Sequence, residues 1–292
     1  MRKQIIFGEP SIGKEEINYI SKVVRSKWIG SGQVTEKFEK KFKIYKNSKY
    51  ALSVNSCTAA LHLSLIYCGI KRNDEVITTP MTFASTINSI AMVGAKPILA
   101  DIDPETFNIN PRNIEKKITK KTKAIMVVHL YGLMCDMKTI MSIAKKYKLY
   151  VLEDCAQCFF GKNEKKQISG TIGHVGSWSF ETTKHITTGD GGIVTTNNNK
   201  LGINMRRFGS AGYKNLKANT GKIRIDKSKF QNPNWIRHDR FAYNYRLSEI
   251  CAAVGLAQLE RIQFFLKKRQ MMGKLFNNFF REQNSKLLVP QF

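Results

Sequence analysis

The sequence predicts an α/β protein, built on a mainly parallel sheet flanked by helices. Two observations predict it. Short apolar runs alternate with segments of helical period through the middle of the chain. The chain is also long enough, at 292 residues, to bury a substantial core in one large domain plus part of another.

The elements follow in order. In the stretch from residue 54 to 65, small and hydroxyl residues open an apolar-periodic segment in which Leu61, Leu65 and Cys68 share one helical face, with Gly69 as a stop. Residues 75–78 read as a strand and residues 85–93 as a helix stopped by Gly94. A strand at 97–102 is closed by Asp103 and Pro104, and another spans 124–130. Ile140, Ile143 and Ala144 mark one face of a helix over 137–147. The next strand, 149–152, ends near Asp154, and strands at 177–180 and 192–196 form a closing pair around a lysine turn. A long helical pattern then runs from 247 to about 280. Alternating strands and helices imply right-handed crossovers. The expected division is a large domain over 1–246, with 247–292 as a linking helix and the start of a C-terminal domain.

Composition narrows the class. No apolar run approaches the length of a membrane span, and the charged N-terminus meets Gly8 too soon for a signal peptide. A cytoplasmic protein is expected. The six cysteines do not form a disulfide framework; Cys155 and Cys158 make a Cys-x-x-Cys pair, but no second pair suggests zinc. No metal is expected. The formal net charge is +26. Its lysines are spread along the chain, so solvated faces explain it better than a nucleic-acid stripe. The richest stretch, 214–229, carries Asn215, Asn219 and Gly221 and reads as a loop. A sharper alternative is that this loop, Arg237 or Arg240 attracts a nucleotide diphosphate.

Chemistry concentrates at three places. Lys184 has a hydroxyl, Ser179, five residues before it and a glycine cluster after it. A lysine amine can form a Schiff base with an aldehyde and shuttle a proton, although most lysines are simply exposed. Asp154 stands at a strand's carboxyl end, where ligands of open α/β sheets gather. A carboxylate there can keep a pyridinium nitrogen protonated; the plain alternative is a helix N-cap. Residues 56–58 open a helix whose N-terminus suits a phosphate, and an ordinary capped helix is the alternative. One ligand satisfies all three: pyridoxal 5'-phosphate. Phe83 can stack on its ring or be a core aromatic.

With these residues the chain resembles the sugar aminotransferases of the DegT/DnrJ/EryC1/StrS type, within the fold-type I pyridoxal-phosphate enzymes. The matching stretches are residues 56–63, 79–83, 129–132, 153–157, the Lys184 segment and 243–249, in family order. The resemblance implies an aspartate-aminotransferase-like large domain. It also implies roles. Lys184 would hold the cofactor and move the proton, Asp154 would pair with the ring nitrogen, and Gln157 would lie near the ring's phenolic oxygen. Cys57, Thr58 and Ser179 would bind phosphate, and Asn244 would reach the phosphate of a neighbouring subunit in a homodimer. Position 57 is usually glycine in the family, and relatives continue into a C-terminal domain that this sequence is expected largely to lack. The implied reaction is transamination of a nucleotide-linked keto sugar, with an amino acid, expected to be glutamate, as donor. Two alternatives are a sugar dehydratase, which carries histidine in place of the lysine, and an inactive relative with a binding or regulatory role.

Overall fold

The computed structural model describes residue 6, residues 8–219 and residues 232–282. Lys222, Arg224, Lys227 and Lys229 of the lysine-rich stretch lie outside the described residues.

Seven strands form one sheet: β1 (Tyr50–Val54), β2 (Glu75–Thr78), β3 (Lys96–Leu99), β4 (Thr122–Val128), β5 (Tyr150–Asp154), β6 (Val175–Ser179) and β7 (Gly192–Thr196). Their order is β1-β7-β6-β5-β4-β2-β3, and β7 alone runs against its neighbours. The other six therefore end at one edge of the sheet. That edge gathers Val54, Thr78, Val128, Asp154 and Ser179. The central strands are apolar on both faces, as parallel strands covered on both sides must be; Ala124–Val128 and Val151–Asp154 are buried throughout.

The helices are α1 (Lys14–Arg25), α2 (Gln33–Lys46), α3 (Cys57–Tyr67), α4 (Ala84–Met92), α5 (Pro111–Lys116), α6 (Met137–Tyr147), α7 (Asn199–Phe208), α8 (Glu249–Glu260) and α9 (Ile262–Glu282). Helices α1, α2, α5 and α7 lie outside the elements expected from sequence. Helix α3 is buried on every side from Ala59 to Leu65, so it is a core helix rather than an amphipathic one. It packs with β1, β4 and Met205 of α7 in one cluster. On the other side Phe38 and Phe42 of α2 pack with Trp178, Phe180 and α8.

Two expectations shift. The strand expected at 97–102 ends at Leu99; Ile102 instead bridges Ile109 in a short return. The single long helix after 247 is two helices with a break at Arg261, whose guanidinium turns to Glu16 on α1. Helix α8, which opens the expected second unit, is packed against α1 and α2 in the main core.

Candidate active site

The site lies at the carboxyl edge of the sheet. Asp154 closes β5 and is 4% exposed. Its Oδ1 accepts the Ala156 N–H at 3.0 Å and its Oδ2 accepts the Thr86 hydroxyl at 2.8 Å. Those bonds make a turn, not a helix N-cap. Burial pushes the Asp154 carboxyl up; the Ala156 N–H, the Thr86 hydroxyl and the charges of His129 and Lys184 pull back.

Behind Asp154, Glu153 is fully buried and accepts from His129 Nε2 and from the N–H groups of Gly170, Ile172 and Gly173. Burial opposes charge on His129, but contacts with Cys135 and Glu153 carry its pKa well above the usual value. His129, Glu153 and Cys155 have donor atoms within 4.8 Å of one another. Glu153 already takes four N–H donors, so the cluster acts as a clamp on the 170–173 loop.

Helix α3 brings its N-terminus to the same edge. Ser56 caps it by accepting the Ala59 N–H, which leaves the first N–H groups of the helix free of intrahelical partners. Gly192 makes this approach possible: a Cβ there would lie 2.6 Å from the Ser56 carbonyl and 2.7 Å from Cys57 N. Gly192 pairs with Val54 on one side and Ser179 on the other. Ser179, Gly192 and Cys57 are thus stitched together by sheet register. The Thr58 hydroxyl donates to Ser85 Oγ at 2.8 Å.

Lys184 sits in the turn between β6 and β7, where its N–H donates to Glu181 C=O. Gly189, with φ +84°, turns the chain back. Burial holds the Cys57 thiol well above its usual value, and the Lys184 charge opposes burial at both Cys57 and Asp154. A cavity of about 250 Å³ opens beside Lys184, lined also by Thr182, His185, Gln258, Lys268 and Arg269. A larger one, about 840 Å³, lies between α1, α2 and α8 and touches none of the predicted site residues.

The remaining expected residues do not line the cavity beside Lys184. Gln157 Oε1 accepts the Tyr131 N–H at 3.1 Å, and Tyr131 adopts a left-handed φ of 50°. Phe83 precedes α4 and is 72% exposed, so it is not a core aromatic. Asn244 is exposed and bridges Ser210 of its own chain, one residue from Tyr245, whose carbonyl takes the Asn55 N–H. Arg240 is held by Asp239, with further bonds to Tyr67 and Asn204. Sequence reasoning missed Thr86, Tyr131 and Gly192. Thr86 was findable in hindsight, as the hydroxyl four residues after Thr82 on the first turn of a helix.

A buried carboxylate and a helix N-terminus at one sheet edge, with a lysine in the adjoining turn, fit a group carrying a ring cation, an aldehyde and a phosphate. A family profile described as the DegT/DnrJ/EryC1/StrS aminotransferase family matches residues 10–291. The chain belongs to this family. A GDP-perosamine synthase of Escherichia coli O157:H7 is 40% identical over 275 residues, which are 94% of this chain and 71% of that protein. The X-ray structure of an aminotransferase from Psychrobacter cryohalolentis superposes with a TM-score of 0.85 at 35% identity, over 94% of this chain and 69% of that one. The PLP-form of a putative sugar aminotransferase from Streptococcus pneumoniae superposes at 0.83 with 28% identity, over 96% and 72%. As a family member the chain is a pyridoxal-phosphate-dependent aminotransferase of fold-type I. No helix among the described residues is long and apolar enough to cross a membrane.

Proposed function

We propose that this aminotransferase moves an amino group from an amino acid, glutamate foremost, to a nucleotide-linked keto sugar. The product would serve amino-sugar or surface-glycan synthesis in the cytoplasm. The observation that carries the reading is the placing of Asp154, Ser179 and the α3 N-terminus at one edge of the sheet, with Lys184 in the turn that follows Ser179. The similarity to a GDP-perosamine synthase supports a sugar nucleotide as acceptor.

When bound, pyridoxal phosphate supplies an electron sink for the electron pair released at the donor's α-carbon. The chain's residues do the rest. Lys184 is the attachment point and, once its amine is released, the base that takes the α-proton and later returns one to the acceptor carbon. Asp154 is pushed up by burial because its oxygens lack a full cationic partner; a ring N–H⁺ is such a partner. Thr86 and the Ala156 N–H fix the carboxylate's direction. Cys57, Thr58 and Ser179 would hold the phosphate, Phe83 would offer its exposed ring for stacking, and Gln157 would lie near the ring's phenolic oxygen. At position 57 the backbone N–H survives the thiol side chain, so the anion site is retained.

The reading includes a homodimer with Asn244 near the partner's phosphate. Exposed aromatics next to Asn244 in the chain support an interface: Phe241 is fully exposed and Tyr243 49%. The division of the chain near residue 247 belongs to the same reading.

The test is direct. Purified holoprotein should lose its visible cofactor band on adding glutamate. With a nucleotide-linked keto sugar added, aminated sugar and 2-oxoglutarate should appear in equal amounts. Bleaching by glutamate without product from any keto sugar tried would reject the acceptor; no bleaching with any amino acid would reject transamination.

A further inference from the structure

The cavity of about 250 Å³ beside Lys184 is walled by the lysine turn, segment 8–11, α8 and α9. Segment 8–11 lies directly on the turn: a Cβ at Gly8 would sit 2.8 Å from Thr183 Cγ2. Helix α8 and the break after it tie that segment down. Gln258 Nε2 donates to the Ser11 carbonyl at 3.0 Å and to Glu16 Oε1 at 2.7 Å, and Arg261 Nη2 donates to Ser11 Oγ at 2.8 Å. Helix α9 closes the remaining side with Phe265, Lys268 and Arg269. Spacings of three and four residues put these on one helical face.

The charge on this lining is lopsided. Its charged groups are Glu9, Lys184, Lys268 and Arg269; His185 also lines it, but burial and the neighbouring cations lower its pKa to about 4, which leaves it neutral at pH 7. With Lys184 committed to the cofactor, two cations face one exposed carboxylate. Neither cation has an ion-pair partner among the described residues. Arg269 Nη2 reaches the Lys184 carbonyl at 3.5 Å, and Lys268 Nζ rests 5.0 Å from the Phe264 ring centroid. A 3.5 Å contact is at the outer edge of hydrogen bonding. The Arg269 guanidinium therefore keeps its fork for a ligand, and that fork matches a carboxylate.

Size narrows the ligand. Sites for drug-sized ligands run from about 300 to 1,000 Å³, and this cavity is smaller. It suits an amino acid and cannot enclose a whole nucleotide-linked sugar.

We infer that Arg269 binds the α-carboxylate of the amino donor and Lys268 its side-chain carboxylate, so that the cavity selects an acidic amino acid. The inference rests on the transamination reading, in which Lys184 carries the cofactor. The donor's α-carbon bears both the nitrogen that displaces Lys184 and the α-carboxylate. That carboxylate must therefore sit close to Lys184, and Arg269 is the cation in contact with Lys184. The half-buried Phe265 offers an apolar wall to the donor's methylene groups.

Glutarate carries both carboxylates and no amine, so it reports binding without chemistry; valerate has the same chain length and one carboxylate. Holoprotein is titrated with each in a calorimeter. Glutarate should bind saturably and about tenfold or more tighter than valerate. Arg269→Met should weaken glutarate about tenfold or more. Arg269→Lys keeps the charge and loses the fork, so it should fall between. Lys268→Met should bring glutarate and valerate close together. The concentration of glutamate that half-bleaches the cofactor band should rise in Arg269→Met by the same factor as its glutarate constant, with the unbleached band unaltered. The inference is overturned if the parent shows no saturable glutarate binding, if Arg269→Met binds glutarate as the parent does, or if Lys268→Met keeps the parent's preference. Failure of the transamination reading looks different: glutamate then leaves the parent's band unbleached, and the glutarate titrations still decide the carboxylate site.

Discussion

The Thr86 hydroxyl donates to Asp154 Oδ2 across 2.8 Å, linking the first turn of α4 to the carboxyl end of β5. Both residues are buried. This bond fixes one oxygen of the carboxylate while the Ala156 N–H fixes the other. Asp154→Asn keeps the shape and removes the charge. We expect it to bind cofactor and to lose most of its transamination. Thr86→Val keeps the charge and removes the donor, which costs about 1–3 kcal/mol for an unmet buried acceptor. Its expected effect is a smaller fall in turnover than Asp154→Asn. Single-turnover rates with glutamate check both, and near-parental turnover in Asp154→Asn would reduce Asp154 to a structural turn residue.

Lys184 is the lysine whose charge reaches both Asp154 and Cys57. Borohydride reduction of the holoprotein should fix the cofactor to the peptide containing Lys184. Lys184→Ala should abolish that label. Peptide mapping that finds the label on another lysine, such as Lys268 across the adjoining cavity, would move the site.

Much of this arrangement was legible in the sequence, for definable reasons. Strands β4 and β5 are covered on both faces, so they are unbroken apolar runs, and Asp154 stands out at the end of one. Lys184, Asp154 and the 56–58 stretch each sit where a strand's carboxyl end meets a loop, and one ligand joined them. Other features have no local signature. Gly192 is needed because the backbone of Ser56 and Cys57 passes over it, a long-range fact. The break at Arg261 depends on Glu16, 245 residues away. Helix α8 is buried nearly all round, so it has no polar face to mark its end.

A buried ion pair ties α2 to α7. Arg206 donates to Glu39 through Nη1 at 3.1 Å and Nη2 at 2.7 Å, and the side chains are 5% and 4% exposed. Glu39 also accepts the Ser53 N–H and hydroxyl on β1. Removing one partner strands the other charge, at a cost of about 3–5 kcal/mol. Arg206→Met should therefore lower the urea midpoint strongly. The double change Arg206→Met with Glu39→Gln should recover part of the loss. A loss in the single variant below about 1 kcal/mol would show that the pair is not an internal tie.

Phe241 is fully exposed and Tyr243 about half exposed, near the exposed Asn244. On the dimer reading these side chains meet a second copy. Sedimentation should give a homodimer, and Phe241→Asp should shift it towards monomer and weaken cofactor retention in step. A cofactor-loaded monomer of the parent chain would contradict a site completed by Asn244 of a neighbour.

His185 follows Lys184 and gives the chain an acid-side sensitivity of known sign. Burial, joined by the charges of Arg269, Lys46 and Lys184, lowers its pKa to about 4. The unfolded chain carries an ordinary histidine near 6.5. Between those values the unfolded state binds the extra proton, so folding stability rises with pH. The contribution is full above about pH 6.5 and is lost as pH falls towards 4. Its size is at most about 3.5 kcal/mol, from a shift of roughly two and a half pKa units at about 1.4 kcal/mol each. His185→Gln stays neutral throughout and should flatten this part of the slope. His62 and His174, lowered mainly by burial, remain in both proteins and cancel in the comparison. Arg269→Met removes one of the cations, brings the folded pKa closer to the unfolded one and should shrink the loss. Urea midpoints measured at pH 7 and pH 4.5 decide it: an equal fall for parent and His185→Gln would mean that His185 titrates as it does in the unfolded chain.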